Sequence, residues 1–151
     1  MPPHARPARA GARGVPSSKA RGELAEARFL VRAMDHGLTV SKPFGDNARY
    51  DFIVDFAGRL TRVQVKSATL GQDGGYRIGT ASGRRSKHPY TGAQVDLLAA
   101  HLVPEDLWYL IPVSAFAPRK TIRLYPHLHP PHRFEQFREA WRLLRLSSAR
   151  I

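Results

Sequence analysis

Residues 50–66 constrain what this chain can fold into more than any other segment. Residues 50–56 (YDFIVDF) alternate, with Tyr50, Phe52, Val54 and Phe56 on one side and Asp51, Ile53 and Asp55 on the other. Residues 60–66 alternate again, setting Thr61, Val63 and Val65 against Arg62, Gln64 and Lys66. A period of two is the signature of a half-buried strand, and Ala57-Gly58 between the runs reads as a tight turn. A two-residue turn makes Phe56 face Arg59, and counting back along both strands makes Asp51 face Gln64. Facing Cβ atoms lie ~5 Å apart, and Lys66, two residues beyond Gln64, shares their side of the sheet. One face therefore gathers Asp51, Gln64 and Lys66, while Phe52, Val54, Val63 and Val65 take the other. A three-residue turn would shift the register and part Asp51 from Gln64. On alternation alone, the plain alternative is a solvated polar face of an antiparallel hairpin.

Around this hairpin the sequence predicts a helix over residues 18–36, ending at Gly37, with Ala27, Leu30, Val31 and Met34 as its buried stripe. At about 100° per residue, Glu23 projects onto that stripe, and an inward carboxylate needs a partner or a purpose. A strand starts near residues 38–40, followed by a Gly/Asp/Asn-rich loop over 43–49. Further strands are expected at 76–79, 96–102, 107–112 and 121–124, with a basic loop (GRRSKH) over 83–88. Apolar residues at Phe134, Phe137, Trp141 and Leu144 predict a last helix over 132–146. Mixed strands flanked by a first and a last helix make one α/β or α+β domain. Residues 1–20 read as a disordered basic arm, since Arg6, Arg9, Arg13 and Lys19 have no acid among them, and residues 21–151 as the domain.

Composition narrows the partners. Of 151 residues, 24 are Lys or Arg and 12 are Asp or Glu, a formal net charge of +12. Such an excess on a small chain favours a polyanionic partner, nucleic acid above all, although ribosome-associated proteins share it. With no cysteine, the chain has no disulfide scaffold, zinc finger, iron–sulfur cluster or thiol nucleophile. No apolar run approaches the ~18 residues of a membrane span, and no apolar segment opens the chain as a secretory signal would. The expected location is cytoplasmic, at the nucleoid, with no membrane partner.

The polar face of the hairpin can do chemistry. Phosphodiester hydrolysis uses a divalent cation to neutralise phosphate charge and lower the pKa of a water, and oxygen ligands suit Mg²⁺. Asp51 offers a carboxylate, Gln64 a side-chain carbonyl and Val65 its main-chain carbonyl. Lys66 would orient or deprotonate the attacking water and stabilise the charge that develops on phosphorus. Glu23 would supply the second negative charge that Gln64 lacks. Arg84, Arg85, Lys87 and His88 form the loop best suited to contact DNA phosphates, simple solvation being its alternative. His127, His129 and His132 have ligand-like spacing, but Pro130 and Pro131 split them, and a solvated turn is the better reading. Asp96 reads as a structural anchor at the start of its strand.

Gly22-Glu23, the string Phe44-Gly45-Asp46-Asn47-Ala48-Arg49-Tyr50-Asp51, Gln64-Val65-Lys66, Tyr90, Asp96 and residues 108–112 (WYLIP) together resemble the PD-(D/E)XK nuclease superfamily. The glutamine resembles its PD-(D/Q)XK variant, found in group I intron-associated homing endonucleases. The resemblance runs over residues 21–113 and implies a restriction-endonuclease-like core, a mixed central sheet flanked by helices. It implies Asp51 as metal ligand, Gln64 at the second acidic position, Lys66 as the catalytic lysine and Glu23 as the helix carboxylate. Two departures stand out: Gln64 removes one charge from the site, and Tyr50 stands where the motif has proline. The implied activity is Mg²⁺-dependent cleavage of double-stranded DNA, with Mn²⁺ as a substitute, of the homing type. The alternatives are a Holliday-junction or repair nuclease on the same fold, or a non-catalytic nucleic-acid-binding module with a decayed site. One site per chain and two strands to cut imply a homo-oligomer, a dimer or tetramer.

Overall fold

The computed structural model describes residues 14–146; residues 1–13 of the arm lie outside them, and its last three, 18–20, already belong to the first helix. The first helix, α1 (Ser18–Asp35), starts where the Ser17 hydroxyl accepts the Ala20 N–H at 3.2 Å. It ends at His36, and Gly37 follows with φ of 71°. Strands β1 (Thr39–Ser41), β2 (Phe52–Phe56) and β3 (Arg59–Ala68) then form an antiparallel meander. After β4 (Tyr76–Gly79), β5 (Ala81–Ser82) and β6 (His88–Pro89) come the central strands β7 (Leu97–Leu102) and β8 (Leu107–Pro112), and finally β9 (Thr121–Leu124). The main sheet has the order β1-β2-β3-β7-β8, with only β3 and β7 parallel. All six residues of β7 are buried, as a central strand covered on both faces requires.

The hairpin turns as its sequence predicts. Phe56 pairs with Arg59 across Ala57 (φ 51°) and Gly58 (φ 81°), the pair of positive φ values that a tight two-residue turn of this hand needs. Gly58→Ala should therefore cost about 1 kcal/mol through backbone strain alone, because no atom lies within 4 Å of the added Cβ. Thermal unfolding should show a midpoint lower by roughly 2–4 °C; an unchanged midpoint would contradict the strain argument.

Two apolar layers cover the sheet. On one face, Ala25, Phe29 and Ala33 of α1 pack on Phe52, Val54, Val63 and Val65, with Trp108 and Trp141 closing the layer. On the other, Tyr76, Ile78, Ile122 and Leu124 of the β4–β9 ribbon pack on Leu98, Ala100, Tyr109 and Ile111. Tyr50 joins this second layer rather than the side of Phe52, because the regular strand begins only at Phe52.

Two expectations are corrected. The stripe Ala27, Leu30, Val31 and Met34 faces outward, with Val31 and Met34 61% and 62% exposed. The buried face lies about 150° around the helix, because Phe29, its largest apolar side chain, sets the rotation. Phe29 stacks on Phe52 at 5.5 Å and on Trp141 at 5.7 Å, and flanking Ala25 and Ala33 let the helix approach the sheet. The last helix is also absent among the described residues. Residues 132–146 hold two short 3₁₀ turns, Glu135–Phe137 and Trp141–Arg145. Glu139 breaks the run at φ 47° because it binds the free edge of β8. Its N–H donates to the Trp108 carbonyl, its carboxylate accepts the Trp108 N–H at 2.8 Å and the Trp141 indole N–H at 2.7 Å, and Arg138 bridges Tyr109. The apolar residues of the segment still serve the core, with Phe134, Trp141 and Leu144 buried.

Candidate metal centre

Strand β3 outruns β2. Their ladder stops at Phe52–Val63, and Gln64 to Ala68 continue beside β7 with an open edge on the other side. Asp51 sits at that edge. Its N–H donates to the Val63 carbonyl at 2.9 Å, so the main chain fixes where its side chain begins. Asp51 Oδ2 accepts the Gln64 side-chain amide and the Val65 N–H, each at 2.8 Å. The expected meeting of Asp51 with Gln64 is thus observed, and Lys66 follows on the same face.

The Val65 contact carries a second consequence. Both main-chain groups of a strand residue point to the same side. Since its N–H points at Asp51 and away from β7, the Val65 carbonyl points into the open edge as well. That carbonyl and Asp51 Oδ1, which accepts no hydrogen bond among the described residues, are two oxygen donors on the open-edge side of β3. Gln64 is nearly buried and gives its amide N–H to Asp51, leaving its Oε1 as a further neutral oxygen.

Glu23 makes no hydrogen bond to this group among the described residues, though its charge acts on Lys42. It is exposed and pairs with Lys19 on its own helix at 4.0 Å. Turning α1 so that Phe29 faces the sheet carries Glu23 to solvent and brings Glu26 in beside the buried face. Glu26 is half-buried, close enough to act on the charge of Asp51, and accepts a hydrogen bond from Lys42 in the loop after β1. Sequence reasoning missed both Glu26 and Lys42. The signal for Glu26 was Phe29 three residues on, which outweighs the smaller apolar residues in choosing the inward face.

The site holds two carboxylates and two ammonium groups, and its electrostatics follow from burial. Desolvation pushes the Asp51 carboxyl above its ordinary value. The Val65 N–H and the charges of Lys66 and Lys42 oppose that rise, and Glu26 adds to it. Lys42 is held above its ordinary value chiefly by its hydrogen bond to Glu26. The Lys66 ammonium lies 6.0 Å over the Tyr90 ring. If Glu26 is a ligand, Glu26→Gln should weaken Mn²⁺ binding at least tenfold, in the range typical for altered metal-site carboxylates, whereas Glu23→Gln should leave it unchanged. Calorimetric titration separates the two, and the reverse ranking would return the role to Glu23.

The basic loop lies close by. Arg84, Arg85, Lys87 and His88 are exposed at the tip of the β5–β6 hairpin and form no ion pair with a described acid. Arg49, two residues before Asp51, donates to the Ser82 hydroxyl and ties this hairpin to the site. Asp96 is the structural anchor expected of it: it accepts the Arg62 N–H at 2.7 Å and clasps the Arg62 guanidinium through both oxygens. Of the three histidines, His127 pairs with Glu105 and His132 packs between Tyr125 and Phe134.

No curated protein matches this sequence. Among solved structures, a bacterial homing endonuclease, I-Ssp6803I, shares 32% identity and a TM-score of 0.79, over 89% of this chain and 98% of that one. A family model described as PD-(D/E)XK endonuclease matches residues 16–144, a span that holds every element from α1 to the last 3₁₀ turn except that turn's final residue. With that match, and with Asp51 set against the open edge of the strand that carries Gln64 and Lys66, the chain belongs to the PD-(D/E)XK endonuclease family.

Proposed function

We propose that the protein is a metal-dependent endonuclease of the homing type that hydrolyses phosphodiester bonds in double-stranded DNA. The observation that carries this reading is Asp51. A half-buried carboxylate, raised by desolvation, stands with a main-chain carbonyl and a neutral amide oxygen, and feels the charge of the half-buried Glu26. This all-oxygen donor set fits Mg²⁺, with Mn²⁺ as substitute, and not a soft metal. Asp51, Glu26, Gln64 and the Val65 carbonyl would hold the cation. Such a cation supplies charge neutralisation at the phosphate and an acidified water.

The chain's own groups do the rest. Asp51 is oriented by the Val65 N–H and the Gln64 amide, so its free oxygen is preorganised rather than recruited. Lys66 orients the attacking water and stabilises the negative charge that builds on the phosphoryl oxygens. Lys42 balances Glu26 while no cation is present. Arg84, Arg85, Lys87 and His88 contact phosphates beside the scissile bond. Cutting both strands takes two such sites, so the active form is a homo-oligomer, a dimer or tetramer.

A pool of supercoiled plasmids carrying random inserts, incubated with the protein in Mg²⁺ or in EDTA, tests the reading. Linear product in Mg²⁺ and intact plasmid in EDTA are expected. Cleavage that survives EDTA, or no cleavage of any duplex in Mg²⁺, would overturn it.

A further inference from the structure

Immediately past Lys66, a groove of about 970 Å³ opens over the end of β3. Ser67 and Thr69 lie in its floor. One wall is the N-terminal half of α1, with Arg21 and Arg28, and the other is the β4–β9 ribbon, with Arg77 and Arg123. The ribbon's inward residues, Tyr76, Ile78, Ile122 and Leu124, are buried, so strand alternation turns both of its arginines outward.

Arg77 and Arg123 are direct cross-strand partners. Like charges facing each other across a ribbon destabilise it; Arg123 is offset by Asp73, whereas Arg77 meets no acid among the described residues. One acid lines the groove, Asp73, and it is engaged by Arg123 at 2.9 Å and by the Tyr125 hydroxyl at 3.3 Å. Arg21, Arg28 and Arg77 pair with no acid among the described residues. Cations on two opposite walls, with hydroxyls between them, match a chain of phosphates lying in the groove better than base edges approached from a convex surface.

We propose that this groove carries the sugar–phosphate backbone of the DNA flanking the bond presented to Asp51 and Lys66, on the side where β3 ends. The inference rests on the nuclease reading and adds a track separate from the β5–β6 loop. Its residues position DNA without reading sequence, so their loss weakens binding about equally on all duplexes.

The test compares full-length protein with the double variant Arg28→Gln/Arg77→Gln, measuring duplex binding in EDTA across a salt series. Lys120→Gln/Arg142→Gln, which removes the same charge from exposed positions outside the groove, is the control. Two lost phosphate contacts should make the log–log salt slope shallower by about 1.8. In cleavage, KM should rise while kcat at saturating DNA holds within about twofold, a split that a merely structural role would not produce. Thermal unfolding of the groove variant should be no earlier than that of the wild type, because one member of the facing arginine pair is gone. Wild-type binding with an unchanged slope in the groove variant, or an equal shift in the control, would overturn the groove alone. Wild-type protein that bound no duplex would overturn the nuclease reading and the groove together.

Discussion

Asp51→Asn should abolish metal-dependent DNA cleavage and, in the absence of a divalent cation, leave the fold as stable as the wild type or more so. The first half follows from charge. Asp51 is the carboxylate best placed at the open edge of β3, and removing one preorganised stabilising group commonly costs ~10²-fold or more in rate. The second half follows from burial. Desolvation raises the folded carboxyl above its unfolded value, so the folded chain binds that proton the more tightly. Stability from this group is then full below the unfolded value and is lost as pH rises through the folded one. At neutral pH the ionised Asp51 is a cost to the fold, which a bound cation would offset. Asparagine keeps an oxygen for the Val65 N–H and carries no charge. In thermal unfolding at neutral pH with EDTA, the variant midpoint should equal or exceed the wild type's. Added Mn²⁺ should raise the wild-type midpoint alone. A variant destabilised in EDTA, or stabilised by Mn²⁺ as strongly as the wild type, would show that Asp51 is a structural acid.

Lys66→Ala should lower cleavage by a similar ~10²-fold or more, yet for a different reason that the same titration exposes. Lys66 is not a ligand. Its positive charge acts on Asp51 in the direction that favours the ionised carboxylate, but it also repels a cation arriving beside that carboxylate. Its removal should therefore leave metal binding at neutral pH intact or tighter while the chemistry fails. Loss of metal binding in Lys66→Ala would mean that the lysine organises the site rather than serving the reacting phosphate.

The two variants separate because the residues reach the site by different routes, and that difference also governs what the sequence made legible. Asp51, Gln64 and Lys66 were readable because a single local fact, the two-residue turn at Ala57-Gly58, propagates along both strands with a period of two. Strands 76–79, 107–112 and 121–124 also stand where the sequence places them. Glu26 was not legible, because its place depends on which side of α1 is buried. That side was decided by the aromatic contacts of Phe29 with Phe52 and Trp141, residues far apart in the chain. Lys42 was hidden in the same way, since its partner lies on that helix. The final segment kept its apolar spacing and lost its helix because the Glu139 carboxylate and main chain complete the edge of β8. In each case a contact across the sheet overrode a correct local periodicity.

The central claim is that cleavage is carried by the cluster of Asp51, Glu26, Gln64, the Val65 carbonyl and Lys66. It is tested most directly by forming the protein–DNA complex in EDTA on a duplex that the wild type cuts, and then adding excess Mg²⁺ under single-turnover conditions. The account predicts no cleavage before the addition and cleavage of both strands after it in the wild type. Complexes of Asp51→Asn and Lys66→Ala should remain bound and intact. Cleavage before Mg²⁺ arrives, or Asp51→Asn complexes cutting at the wild-type rate, would contradict it.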